Sequence, residues 1–119
     1  MNEDDGNISN TEFILGKAEK VIPGLTPTLQ HEDDVVAVVN PARAGLHRKV
    51  IRTLRNCDFI KRLVYVSCKP QGEAMRNFID LCCPPVKKLY GKPFTPIRAV
   101  PVDMFPHTNH CELVILFER

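Results

Sequence analysis

Two short apolar runs constrain this chain more than anything else in it. Residues 35–39, Val-Val-Ala-Val-Val, and residues 63–67, Leu-Val-Tyr-Val-Ser, are rich in β-branched side chains and read as strands. Between them Leu46, Val50, Ile51 and Leu54 recur at helical spacing, with His47, Arg48, Lys49 and Arg52 interleaved. One amphipathic helix therefore connects the two strands. A strand that returns through a helical crossover pairs in parallel, so residues 35–67 form a βαβ unit and the chain is an α/β protein. The unbroken apolar character of residues 35–39 predicts burial on both faces.

The second half continues the pattern. Past Pro70, Met75, Phe78, Ile79 and Cys82 keep helical spacing, Gln71, Glu73, Arg76 and Asp80 supply a solvated side, and Pro84-Pro85 ends the helix. Residues 97–102 read as a strand with Pro101 near an edge. The last strand begins near Glu112, and the loop before it is too short for a crossover, so it runs antiparallel to its predecessor. At the other end, residues 1–10 have the composition of a flexible start. Residues 11–16 suggest a short strand closed by Gly16, and residues 17–25 a helix stopped by Pro23-Gly24. The main body is residues 35–119.

With 119 residues and 44% hydrophobic content the chain can build one core without disulfides or metal. Its formal charge of +2 is too small to announce a nucleic-acid binder, though it permits RNA contact. Five cysteines without a C-x-x-C pair favour a reducing compartment over a disulfide framework. No stretch has the roughly 18 apolar residues of a membrane span.

Cys68 follows the second strand of the βαβ unit directly, at the carboxyl end where open α/β sheets hold their chemistry. Backbone N–H groups and a helix start near such a position favour the thiolate, the reactive form of cysteine. The alternative is a buried structural thiol. Glu112, at the start of the antiparallel strand, is placed to come near the same sheet end. A carboxylate among apolar neighbours gains proton affinity and can act as a base; the alternative is an exposed strand-end charge. Asn40, where the first strand ends, offers a donor and an acceptor to a ligand or else caps the helix after Pro41. His107, His110 and Cys111 suggest zinc but lack the paired spacing of zinc modules. Cys82-Cys83 suggests redox chemistry, although packing accounts for Cys82 as well. No two of the six glycines stand one residue apart, so a dinucleotide-type glycine loop is absent.

Three stretches in order carry a resemblance: NPARAG from Asn40, VSCKP from Val66 and DMFPHTNHCE from Asp103. They resemble the motifs D-P-[PA]-R-A-G, V-S-C-N-P and D-x-F-P-x-T-x-H-x-E of S-adenosylmethionine-dependent RNA (uracil-5-)-methyltransferases, which make 5-methyluridine in tRNA and rRNA. The resemblance implies the C-terminal part of a Rossmann-like class I methyltransferase fold, a partial catalytic domain, with the final strand inserted between those near Leu63 and Ile97. It implies S-adenosyl-L-methionine as cofactor, RNA as partner, Cys68 as nucleophile, Glu112 as base and Asn40 as cofactor contact.

Asn40 replaces the family's aspartate, and Lys69 replaces the asparagine after its cysteine. Both variations resemble the animal mitochondrial tRNA branch, which implies a matrix location, with cytosol or nucleus as alternatives. The family's glycine-rich first strand has no counterpart among these residues. A noncatalytic RNA-binding or interaction module on the same fold is the competing expectation, and a metal-binding protein is a third.

Overall fold

The computed structural model describes residues 14–29, 34–68, 72–103 and 112–119. Its elements are α1 (Ala18–Leu29), β1 (Val35–Val39), α2 (Arg48–Asn56), β2 (Ile60–Ser67), α3 (Ala74–Cys82), β3 (Thr95–Val102) and β4 (Glu112–Glu118). The strands form one sheet in the order β1-β2-β4-β3. β1 and β2 are parallel, whereas β4 runs antiparallel to both β2 and β3. The α/β class, the βαβ unit and the inserted antiparallel last strand thus match what the sequence and its resemblance imply. β3 lies at the sheet edge, where Pro96 and Pro101 cost the fewest ladder hydrogen bonds.

β2 begins at Ile60, three residues before the expected start. Ile60 is buried and pairs with Val35, while Lys61 and Arg62 are exposed. Those two charges sit on a solvated stretch of strand, which is why they hide it in the sequence.

The core occupies one side of the sheet. Val50, Ile51 and Leu54 of α2 and Leu81 of α3 pack with Leu63 and Tyr65 of β2, Ile115 and Phe117 of β4, and Phe94. The Tyr65 ring meets Phe78 edge-on at 4.9 Å, and Phe78 lies 5.9 Å from Phe117. Each such side chain contributes about 1.5–3 kcal/mol when fully buried.

Burial of β1 on both faces is not observed. Val35, Ala37 and Val39 are half-buried against the core, but Val36 and Val38 are 43% and 68% exposed. The strand alternates because the buried side chains of α2 and α3 join the core on one sheet face, and α1 packs against α2. Among the described residues no helix covers the other face.

The buried side of α3 is also rotated from the expected one. Ala74, Asn77 and Leu81 are buried, whereas Met75 and Ile79 are exposed. Asn77 turns inward because its amide makes three hydrogen bonds there, as described below.

α1 does not stop at Pro23-Gly24 but continues to Leu29. Pro27 has no N–H to donate to the carbonyl of Pro23, and Thr26 Oγ donates to that carbonyl instead at 3.2 Å. The hydroxyl of Thr28 likewise reaches the Leu25 carbonyl at 2.6 Å. Of the strand expected at residues 11–16, residues 14–16 are not in a strand and residues 11–13 lie outside the described residues.

Two arginines secure the helix ends, whose last carbonyls have no partner within the helix. Arg55 is completely buried and donates to the carbonyls of Gly91 (2.8 Å), Asp80 (2.7 Å) and Cys83 (2.7 Å), the latter two at the end of α3. Arg119 donates to the carbonyls of Leu54, Arg55 and Cys57 at the end of α2 and to Ile60 at 2.8 Å. Its guanidinium also lies 4.1 Å from the Phe94 ring centre, a cation–π contact.

Candidate active site at the carboxyl end of the sheet

The parallel unit sends the chain out of the sheet twice on the same rim, after Val39 and after Ser67. Asn40 is the first residue beyond β1 and is exposed. Cys68 is the first beyond β2, and its thiol is free and exposed. It is therefore not the buried structural cysteine that the sequence left open. Because β4 is antiparallel, its first residue, Glu112, arrives at that rim as well. Ser67 pairs with Leu113, so Cys68 and Glu112 are the next residues of the two strands beyond the last β2–β4 pair. Glu112 is half-buried and pairs with Val102 on its other side. The sheet thus gathers Asn40, Cys68 and Glu112 along one edge, although 72 positions separate the first from the last.

Asn40 is not a helix cap. α2 starts at Arg48, and His47 caps it through Nδ1, which accepts from the Lys49 N–H at 3.1 Å. The intervening loop is held by a network that spacing alone did not reveal. Asn77 Oδ1 accepts from the Leu46 N–H at 2.6 Å and from the Tyr65 hydroxyl at 2.7 Å, and Asn77 Nδ2 donates to the Leu46 carbonyl at 3.2 Å. Gly45 lies directly above it with φ +82°, and a Cβ there would stand 2.5 Å from Asn77 Oδ1. Only glycine combines that backbone conformation with that approach. The loop carrying Asn40 is consequently locked to β2 and α3, the elements on either side of Cys68.

Burial pushes the Tyr65 phenol up to about 12, only partly offset by the hydrogen bond from Leu46, so Tyr65 stays a neutral donor to Asn77. The Cys57 and Cys82 thiols are raised chiefly by burial, which separates them chemically from a surface nucleophile. Cys82 packs against the core, and Cys83 Sγ accepts from Arg55 at 3.5 Å, so both vicinal cysteines have packing roles and both are free thiols. Asp103 is described and exposed. Lys69, His107, His110 and Cys111 lie outside the described residues. Among the described residues no cluster of three metal-ligating side chains occurs, and no helix is long and apolar enough to cross a membrane.

No family model matches the chain. Individual relatives do. It is 58% identical over 114 residues to the tRNA (uracil-5-)-methyltransferase homolog B of Danio rerio, covering 94% of this chain and 24% of that protein. It is 60% identical to the Homo sapiens homolog B over 94% of this chain and 23% of the relative. The Mus musculus homolog A is 52% identical over the whole chain and 19% of its own length. The chain spans about a quarter or less of these relatives.

Among solved structures, the Pyrococcus abyssi tRNA (uracil-54, C5)-methyltransferase in complex with S-adenosyl-L-homocysteine superposes with a TM-score of 0.51. That match has 33% identity and covers 74% of this chain and 20% of the other. The α/β fold of this chain thus matches part of a methyltransferase of Rossmann-like fold. By sequence and by fold, the chain is similar to a segment of the tRNA (uracil-5-)-methyltransferases.

Proposed function

We propose that this chain supplies the nucleophile and the base of an S-adenosyl-L-methionine-dependent tRNA methyltransferase that forms 5-methyluridine. The observation that carries the reading is the β2–β4 pairing, which ends at Ser67 and Leu113 and leaves Cys68 and Glu112 as neighbours in line on one rim. The solved relative with S-adenosyl-L-homocysteine supports the cofactor class.

The residues on this rim fit such a cofactor in part. Asn40 is exposed at the end of the strand next to the one that leads to Cys68, and its amide can both donate to and accept from polar groups of the ligand. Being neutral, it offers a weaker hold on hydroxyl or ammonium groups than a carboxylate would. When bound, S-adenosyl-L-methionine supplies an electrophilic sulfonium methyl group.

The protein's own part is to make carbon 5 of uracil reactive. Cys68, after losing its thiol proton, adds its sulfur to carbon 6, and the displaced electron pair makes carbon 5 an enolate-like nucleophile. After carbon 5 is methylated, the Glu112 carboxylate takes the proton from carbon 5. The returning electron pair restores the ring double bond and breaks the carbon 6–sulfur bond. Cys68 is released as thiolate, and the proton rests on Glu112 until it passes to solvent.

The chain spans about a quarter of the length of these relatives, and in this reading the activity is that of a protein of the relatives' length, the 119 residues alone turning over little or nothing. A mitochondrial matrix location is part of the same reading.

The test is a pair of variants in the longer protein. Cys68→Ala abolishes 5-methyluridine formation and gives no covalent RNA complex on a denaturing gel. Glu112→Gln gives a denaturation-resistant protein–RNA complex that accumulates without turnover. Ordinary activity in Cys68→Ala would end the covalent scheme, and turnover without adduct in Glu112→Gln would assign the base elsewhere.

A further inference from the structure

We infer that the trough between the outer sides of α2 and α3 is a binding track for the phosphate backbone of the RNA substrate. The inference rests on the proposed tRNA methyltransferase reading and assigns part of the substrate's footprint. Two adjoining cavities of about 480 and 280 Å³ share Arg48, Arg76 and Asp80 in their walls, which makes them one continuous groove. His47 and Glu73 line its upper part, and Arg52, Lys87 and Lys88 its lower part. Five permanent cations thus face two carboxylates, an excess larger than the formal +2 of the entire chain.

The position and build of the groove both suit a polyanion. α2 and α3 start at the rim that carries Asn40 and Cys68, so the groove begins beside the candidate site and leads away from it. Arg48 and Arg52 are one helical turn, about 6 Å, apart on α2. Seven of its twelve lining residues carry a formal charge, beside Ala44, Leu46 and Leu89, whereas small-molecule pockets are lined predominantly by apolar side chains; a row of cations matches repeating phosphates and gains free energy from counterion release.

The lower end is also held in place at a conformational cost. Lys87 and Lys88 occupy a turn closed by paired hydrogen bonds between Val86 and Leu89 of 2.9 and 3.0 Å. Lys88 has φ +73°, a left-handed conformation that glycine adopts far more cheaply. Asn56 at the end of α2 fastens this turn, donating to the Lys88 carbonyl at 3.0 Å and accepting from the Tyr90 and Gly91 N–H groups. A lysine kept where the backbone favours glycine is explained by its charge in the groove.

The experiment is tRNA binding by fluorescence anisotropy at several salt concentrations, using unmodified tRNA transcript and the longer protein that contains this chain. For Arg48→Gln/Arg52→Gln/Arg76→Gln we expect an affinity loss of about 10-fold or more and a salt slope smaller by about 2–3, because each phosphate contact contributes about 0.7–0.9 to that slope. Lys88→Gly is expected to bind more weakly while its melting temperature stays equal or rises, an outcome that a purely structural role for Lys88 would not produce. The control Lys17→Gln/Lys20→Gln/Lys61→Gln, away from the groove, keeps the wild-type slope.

An unchanged slope in the triple variant, or an equal loss in the control, would overturn the track. Displacement of tRNA by polyglutamate as readily as by unlabelled tRNA would point to a protein partner and overturn it too. If uridine methylation proceeds and the slope does not respond, the groove fails while the enzymatic reading stands. If the slope falls but no 5-methyluridine forms, the groove stands and the enzymatic reading fails.

Discussion

Tyr65 and Asn77 share a 2.7 Å hydrogen bond beneath Gly45, and through it the loop that carries Asn40 is tied to the strand that leads to Cys68. Both residues are buried, and Asn77 makes two further hydrogen bonds to the backbone of Leu46. Tyr65→Phe removes one donor and leaves Asn77 Oδ1 still bonded to Leu46, so a loss of about 1 kcal/mol is expected. Asn77→Ala strands both the phenol and the Leu46 backbone groups, and a loss of about 2–3 kcal/mol follows. Urea unfolding of the two variants measures the difference.

The same phenol makes stability sensitive to alkali. Tyr65 is raised from an ordinary value of 10.0 to about 12 in the fold, mainly by burial. Because the folded value is the higher one, its contribution is whole below the unfolded value and is lost as pH rises through the folded one. Unfolding midpoints should therefore fall between pH 10 and about 12. Tyr65→Phe should flatten that portion of the curve. An identical alkaline limb in both proteins would remove Tyr65 as the cause.

Thiol reactivity should separate the cysteines by position. Cys68 is exposed, whereas Cys57 and Cys82 are half-buried with thiols raised by burial. A small alkylating reagent at pH 8 is expected to modify Cys68 first. The two raised thiols should react more slowly, because burial lowers both their thiolate fraction and the reagent's access to them. Their rates should climb only at higher pH. Mass-spectrometric mapping over time gives the order directly.

Two glycines should resist replacement for different reasons. At Gly45 an added methyl meets Asn77 Oδ1 at 2.5 Å and also finds φ +82°. Gly45→Ala should cost about 1–3 kcal/mol and disturb the Asn40 loop. At Gly91 the added methyl would stand 1.8 Å from the Arg55 carbonyl oxygen, a backbone atom in the last turn of α2. Gly91→Ala should therefore displace the 86–91 segment, visible as lost amide protection at Leu89 and Phe94.

Arg55 offers a test of polar anchoring inside the core. Its guanidinium donates to three backbone carbonyls and lies in no solvent. Arg55→Met keeps much of the volume but leaves those carbonyls bare, with an expected loss of about 3 kcal/mol or more. Thermal denaturation with hydrogen exchange should show the end of α3 opening first.

Much of this arrangement was legible in the chain. The β-branched runs, the amphipathic segment between them and the short final loop are local patterns, and local patterns fix a parallel pair and an antiparallel last strand. The same logic placed Asn40, Cys68 and Glu112 at strand ends, and strand ends on one rim follow from the connections. The inward face of α3 was legible only at Phe78 and Cys82, which do pack against the core, because Asn77 is buried for hydrogen bonds to Tyr65 and Leu46 rather than for hydrophobicity. The exposure of Val36 and Val38 also escaped the sequence, since an apolar strand cannot report which of its faces a helix will cover. Within α1 the Thr26 hydroxyl serves the Pro23 carbonyl, which Pro27 cannot, so the prolines do not end the helix where the sequence suggests. The sequence by itself determined which residues are candidates for the chemistry and at which strand ends they stand. Only the tertiary structure decided that Cys68 lies open beside the start of β4, because that depends on how β4 enters the sheet between β2 and β3. Likewise, cations scattered along the chain become one groove only when α2, α3 and the turn at Lys87 and Lys88 pack side by side.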